Sequence, residues 1–145
     1  MTKPLVGEEI AKQISEHFPQ AVVGFDRSWV LVNPAALLEV AQFLKDSPDL
    51  DFDYLTCLTG TDYLDYLEVV YMLTSMRHNH SVVLKLRCTR DTCEVPSVVG
   101  LWRGADFQER EVYDLLGITF VGHPNLKRLF LWDGFQGHPL RRDYL

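Results

Sequence analysis

No stretch of this sequence approaches the roughly 20 consecutive apolar residues that a membrane-spanning helix needs, so no part of it is expected to cross a bilayer. Cysteine is scarce and odd in number. Cys57, Cys88 and Cys93 outline no obvious disulfide framework, and buried or idle thiols in a reducing compartment are the expectation. An iron–sulfur cluster would want four thiolates where three exist. Phosphate-cradling loops are missing too: no Gly-x-Gly-x-x-Gly follows a strand pattern and no Gly-Lys-Ser/Thr loop occurs, so no nucleotide site is expected. Nor is there an excess of positive charge. A formal net charge of −6 sets up a field that repels a polyanion and argues against an extended nucleic-acid surface. Met1-Thr2-Lys3-Pro4 meets Gly7-Glu8-Glu9 before an apolar core can develop. That is not the pattern of a secretory signal, and a cytoplasmic protein is the expectation.

What is present is a chain of 145 residues, 47% hydrophobic and 23% charged, enough for one ordinary domain with a sizeable core. Ile10, Ile14 and Phe18 recur every four residues, with acids early and His17 late, which predicts an amphipathic helix over 7–18 stopped by Pro19. Two β-prone runs, 21–25 and 29–32, flank Asp26-Arg27-Ser28 and predict a hairpin or adjacent strands. Asn33 at N-cap and Pro34 at the first helical position open a helix to about Lys45, ended by Ser47-Pro48. Three further β runs, 54–59, 66–73 and 82–88, predict a meander whose polar 75–81 turn faces water. This order lacks the strand–helix alternation of a parallel sheet. It predicts an α+β fold with a mainly antiparallel sheet, helices packed on it, and an irregular C-terminal extension. One domain is expected, with its core over 1–94 and the charged helix and loops over 95–145. In that last part a single good helix fits, 107–116, with Asp106 as cap, Glu109 as capping-box partner and Gly117 as left-handed terminator.

That helix, Glu109-Arg110-Glu111-Val112-Tyr113-Asp114-Leu115-Leu116, carries four ionised groups within six positions. Arg110 and Asp114 at spacing four are expected to pair along it, Glu109 is accounted for by capping, and Glu111 is left to reach an arginine of the tail or of a partner. Fold-locking or interface ion pairs are the simpler reading than catalysis. His78 and His80 lie near Cys88 and Cys93 in sequence, but two histidines at a hairpin tip without a Cys-x-x-Cys pair are a poor metal set. His123-Pro124 and His138-Pro139, each behind a glycine, read as turn geometry before proton relay. Lys127 to Trp132 mixes bases with aromatics in the manner of a single-strand surface. In an acidic chain, packing plus two solvated charges is preferred. Trp102, Phe107, Tyr113, Phe120 and Phe130 are assigned to a core beneath the extension, with exposed members available as interface anchors.

The run Val95-Pro96-Ser97-Val98-Val99-Gly100-Leu101-Trp102, then Ala105-Asp106-Phe107, Glu109 through Ile118, Gly122-His123-Pro124 and the closing Pro139-Leu140-Arg141-Arg142-Asp143-Tyr144, resembles the hydrophilic 30 kDa subunit family of respiratory complex I, the NADH:quinone oxidoreductase. Phe107 departs from it, standing where many relatives carry tryptophan. The resemblance covers about residues 50–144 well and the first 50 weakly. It implies a cofactor-free α+β subunit in the peripheral arm of a proton-translocating NADH:quinone oxidoreductase, on the cytoplasmic side of the cell membrane and attached to it only through the assembled complex. The implied partners are the hydrogenase-like large subunit, near the quinone site, and iron–sulfur subunits. FMN, iron–sulfur clusters and quinone would belong to neighbours, with no catalytic, cofactor or metal residue in this chain and no nucleic-acid partner. Glu109, Arg110, Glu111, Asp114, His123, Arg141, Arg142, Asp143 and Tyr144 are the residues the resemblance marks for fold-locking and docking. The same signature occurs in membrane-bound hydrogenases and formate hydrogenlyases. From a different class, a free-standing metal-dependent enzyme using His78, His80 and a thiolate is the rival.

Overall fold

A computed structural model describes residues 2–128 and 137–142. The chain runs through strand β1 (Lys3–Pro4), helix α1 (Gly7–His17), β2 (Val22–Phe25), β3 (Val30–Val32), a 3-10 turn (Pro34–Ala36), α2 (Leu37–Asp46), β4 (Tyr54–Asp62), β5 (Leu67–Ser75), β6 (His80–Cys88), β7 (Glu94–Pro96), α3 (Ala105–Leu116) and β8 (Thr119–Val121). The fold class is α+β with a mainly antiparallel sheet, as the element order predicts. Six strands form the main sheet in the order β2-β3-β6-β5-β4, with β1 also on β6. β1 and β3 both pair with β6 in parallel, at His80–Ser81 and at Leu84–Lys85, so they follow one another along one edge of that strand.

The central meander is antiparallel over its whole length, Leu67 opposite Cys88 at one end and Ser75 opposite His80 at the other. Alternation decides its faces. Leu67, Val69, Tyr71 and Leu73 of β5 and Val82, Leu84 and Leu86 of β6 are buried, and they join Ile10 and Ile14 of α1 and Val40 and Leu44 of α2 in one hydrophobic cluster. Met72, on the opposite face, is 44% exposed. The Asn33 carboxamide accepts the Ala35 N–H at 3.1 Å, the cap expected there, although the first turn beyond it is 3-10.

Two features of the second half lie outside what the pattern showed. β7 and β8 pair in parallel as a separate two-stranded sheet, too short to leave a period-2 signature. α3 begins two residues early, at Ala105, with Gly104 at its N-cap and no side-chain cap, so the Asp106–Glu109 capping box does not form. Its other end is as expected: Gly117 takes φ +77° and donates to the Tyr113 carbonyl at 2.9 Å.

α3 covers the free edge of β4. The carboxamide oxygen of Gln108 accepts the Leu58 N–H at 2.6 Å, so an edge amide is satisfied by a side chain rather than left as a template for another strand. The approach is close because β4 carries Gly60: a Cβ there would lie 2.6 Å from Leu116 Cδ1 and 2.9 Å from Val112 Cγ1.

Candidate functional site: three carboxylate clusters around the charged helix

The first cluster is Glu109. Its side chain is fully buried and takes the Ser97 hydroxyl at 2.6 Å on one oxygen and the Val98 N–H at 2.8 Å on the other. It therefore ties the exit of β7 to α3, which is where the capping partner expected from sequence actually goes. Burial pushes its carboxyl above the ordinary value, opposed by the Ser97 and Val98 hydrogen bonds and by nearby His123, while Asp106 adds to the rise. His123, its side chain buried, reaches Asp106 with Nε2, 3.0 Å from the carboxylate and 3.2 Å from the carbonyl, and its Nδ1 accepts the Asn125 N–H at 2.9 Å. The histidine holds the turn after β8 against the start of α3. Tyr71 completes this interior: its hydroxyl is buried without a hydrogen-bond partner among the described residues, and burial, with the Glu109 charge behind it, holds the phenol well above its ordinary pKa.

Asp114 centres the second cluster. It pairs with Arg128, whose Nε donates to the carboxylate at 2.6 Å and whose Nη2 donates to the Asp114 carbonyl at 2.8 Å. The Arg110–Asp114 pair expected along the helix is thus replaced. Arg110 instead donates to the carbonyls of Lys127 and Arg128, at 3.2 and 3.4 Å, and stacks its guanidinium 5.5 Å from the Phe107 ring. A guanidinium from a distant loop reaches the buried carboxylate more directly than a neighbour on the same helix face. Arg128 is consequently not the solvated charge expected, its side chain being only 9% exposed. His138 joins through Nδ1, 2.9 Å from the Asp114 carbonyl oxygen.

At the end of β4, Asp62 builds the third cluster, which no sequence pattern indicated. One carboxylate oxygen accepts the Leu64 N–H at 2.7 Å and the Arg90 guanidinium; the other accepts the Arg142 N–H at 2.8 Å. Burial acts to raise this carboxyl, but those three donors and the Arg90 charge outweigh it and hold its pKa at about 2. Arg141 donates to the Leu116 carbonyl and, at 3.2 Å, to that of Arg90. Leu140 N–H adds a bond to Leu115 O at 2.9 Å. Residues 137–142 are thereby laid along α3.

Of the residues singled out from the sequence, Glu109, Arg110, Asp114, His123 and Arg141 make contacts within the chain, and Arg142 does so through its backbone. Glu111 is exposed on the outer stripe of α3, four residues after Phe107. Asp143 and Tyr144 lie outside the described residues. Asp62, Arg90, Ser97, Arg128 and His138 were missed as cluster members. For His138 the His-Pro pair was a signal and for Arg128 the Lys127–Trp132 run, whereas Asp62 and Arg90 stand 28 positions apart with no periodicity to join them.

Several other expectations need correcting. Phe107 is 62% exposed rather than in the core, unlike Trp102 and Phe120, which are buried; Tyr113 is partly buried, and Phe130 is outside the described residues. Trp102 also donates its indole N–H to the Phe52 carbonyl at 3.0 Å. Cys88 and Cys93 are joined as a disulfide instead of standing as idle thiols, because the turn from β6 to β7 brings their Cα atoms to 5.2 Å; Cys57 is free. The 75–81 tip is not simply solvated: His78 and His80 stack at 5.3 Å and each places Nε2 2.7 Å from a carbonyl of the 47–53 loop, Pro48 and Leu50. No group of three His, Cys, Asp or Glu side chains poised for a metal occurs among the described residues.

The geometry defines a class first: a small α+β protein in which charged groups near the C-terminal part lock a helix and its trailing segment onto a sheet, with no helix among the described residues long and apolar enough to cross a membrane. The family model for the respiratory-chain NADH dehydrogenase 30 kDa subunit matches residues 30–145. A NADH-quinone oxidoreductase subunit of Roseiflexus sp. (strain RS-1) is 39% identical over 92% of this chain and 81% of its own length. Its counterpart in Coxiella burnetii (strain Dugway 5J108-111) is 34% identical over 94% and 75%. Among solved structures, a trypsin-resistant fragment of Nqo5 superposes with a TM-score of 0.61 at 33% identity, covering 68% of this chain and 81% of the fragment. A chain of an archaeal membrane-bound sulfane sulfur reductase, a respiratory membrane complex, does so with a TM-score of 0.76 at 25% identity, covering 94% and 84%. The chain belongs to the 30 kDa subunit family of respiratory-chain NADH dehydrogenase.

Proposed function

We propose that this chain is a structural subunit of the peripheral arm of a proton-translocating NADH:quinone oxidoreductase, docked on the hydrogenase-like large subunit near the quinone site. In this reading it binds no cofactor and has no active site of its own. FMN, iron–sulfur clusters and quinone belong to neighbouring subunits, and the chain sits on the cytoplasmic side of the membrane through the assembly.

One observation carries the docking reading beyond family membership. The charges of the family's helix and closing motifs divide into two sets. Glu109, Asp114 and Arg141 are spent inside the chain, whereas Glu111 makes no ion pair among the described residues and shares its outer stripe with the exposed Phe107. An exposed ring beside an uncompensated carboxylate supplies an apolar anchor and a charge for a basic partner surface. A related respiratory membrane assembly with other redox substrates is the second reading, supported by the likeness to the sulfane sulfur reductase chain.

The test is affinity purification of the tagged protein from gently solubilised membranes, for wild type and Glu111→Lys. Wild type is expected to retain a hydrogenase-like large subunit and iron–sulfur subunits, with NADH-binding partners separating the first reading from the second. Glu111→Lys is expected to lose them while its melting temperature stays unchanged. Recovery of the wild type alone overturns the assignment, and full retention by Glu111→Lys removes that helix face from the interface.

A further inference from the structure

Cys88 ends β6 and Cys93 immediately precedes β7, so their bond staples the main sheet to the small one across a turn of four residues. That turn also carries Arg90, which pairs with Asp62 and whose carbonyl accepts from Arg141, while Asp62 holds the Arg142 N–H. The bond therefore sits directly behind the groups that grip residues 137–142. We propose that Cys88 and Cys93 form a reversible thiol–disulfide site whose oxidation state sets how firmly that segment is held against α3.

Both states are chemically provided for. Where the surroundings keep thiols reduced, a bridge of this kind is transient rather than permanent. Once reduced, the Cys88 thiol has the Leu67 carbonyl at 3.8 Å as an acceptor, and Cys93, 4% exposed, becomes a small apolar side chain in the core. Cys88 is only partly buried, so exchange enters there. With glutathione disulfide as oxidant, the Cys88 thiolate attacks one of its sulfurs, forming a mixed disulfide and releasing one glutathione thiolate. The Cys93 thiolate then attacks the Cys88 sulfur and releases the second glutathione. Two electrons pass from the cysteine pair to glutathione disulfide, and the two thiol protons end on the two glutathione molecules.

A ring this small removes little chain entropy from the unfolded state, so the consequence is local. Closing it fixes the Arg90 carbonyl and guanidinium relative to Asp62, and through them Arg141 and the Arg142 amide. Opening it frees the turn to fluctuate while the core beneath stays packed. Nothing in this depends on which partner the chain docks on.

The test equilibrates the full chain in glutathione disulfide or in excess reduced glutathione, counts thiols by mass after alkylation, and follows hydrogen exchange in the peptide spanning 137–142. The oxidised form is expected to show only Cys57 alkylated and about tenfold slower exchange at 140–142 than the reduced form, with global stability little changed. Cys88→Ser should exchange at the reduced rate in both buffers, and Cys57→Ser should follow wild type. Asp62→Asn, which weakens the grip itself, should abolish the difference. Two results overturn the proposal: Cys88 and Cys93 stay alkylatable in glutathione disulfide, or the bond forms and exchange at 140–142 does not change. Both are read on wild type, so the decision does not require that a variant fold.

Discussion

Glu109 shows how a single side chain was placed correctly in the sequence yet given the wrong partner. A glutamate three residues after an aspartate satisfies the capping pattern, but α3 starts earlier, and the carboxylate turns inward to Ser97 and Val98. Removing it leaves a buried amide and a hydroxyl unpaired, so Glu109→Ala is expected to cost about 3 kcal/mol in a urea titration. Its pH behaviour follows from burial. A group whose folded pKa is raised contributes stability that is fully present below its unfolded value, 4.5, and is lost as pH rises through the folded value. Glu109→Gln keeps an acceptor without the charge, so its stability relative to wild type should improve as pH is raised above 4.5. Identical pH–stability curves for the two proteins would show that the carboxyl is not strained by burial. His123 was similarly legible as a turn residue but not as a partner of Asp106, because a sequence carries no record of which loop returns to which helix.

At the scale of elements, the long strands of the meander were legible because each runs for nine residues, enough to show alternation or a β-branched run. Strands β7 and β8, three residues each, were not. The packing of α3 over β4 depends on an element pair that sequence reasoning did not join. Gly60 is the enabling residue, since its missing side chain admits Val112 and Leu116. Gly60→Ala is expected to force the helix outward and to destabilise by about 2 kcal/mol, read as a lower urea midpoint at unchanged slope. The Leu116 methyl can swing away, but Val112 is β-branched and stiff, so relief is partial. An unchanged midpoint would mean that α3 rides higher on β4 than the geometry indicates.

For the whole molecule, the acidic cluster at Asp62 joins the most distant parts of the chain, β4, the 89–93 turn and residues 141–142. Its carboxyl pKa is depressed to about 2, so its contribution is present above the unfolded value, 3.8, and is lost as pH falls through the folded one. The gap in melting temperature between wild type and Asp62→Asn should be constant above about pH 5 and close as pH falls towards 2. A gap that persists in acid would assign the effect of the substitution to packing rather than charge. The sequence by itself determined the α+β class, the first two helices and the meander, because those follow from local periodicity, caps and prolines, which act over a few residues. It also carried the family through its helix and His-Pro motifs. Only the tertiary structure decided the partners: that Asp114 takes Arg128 instead of Arg110, that Phe107 faces outward, that Cys88 bonds Cys93, and that Asp62 grips a segment 80 positions later. Charges and sulfurs pair by distance in space, and that distance is set by how helix, sheet and loop pack together rather than by their order along the chain.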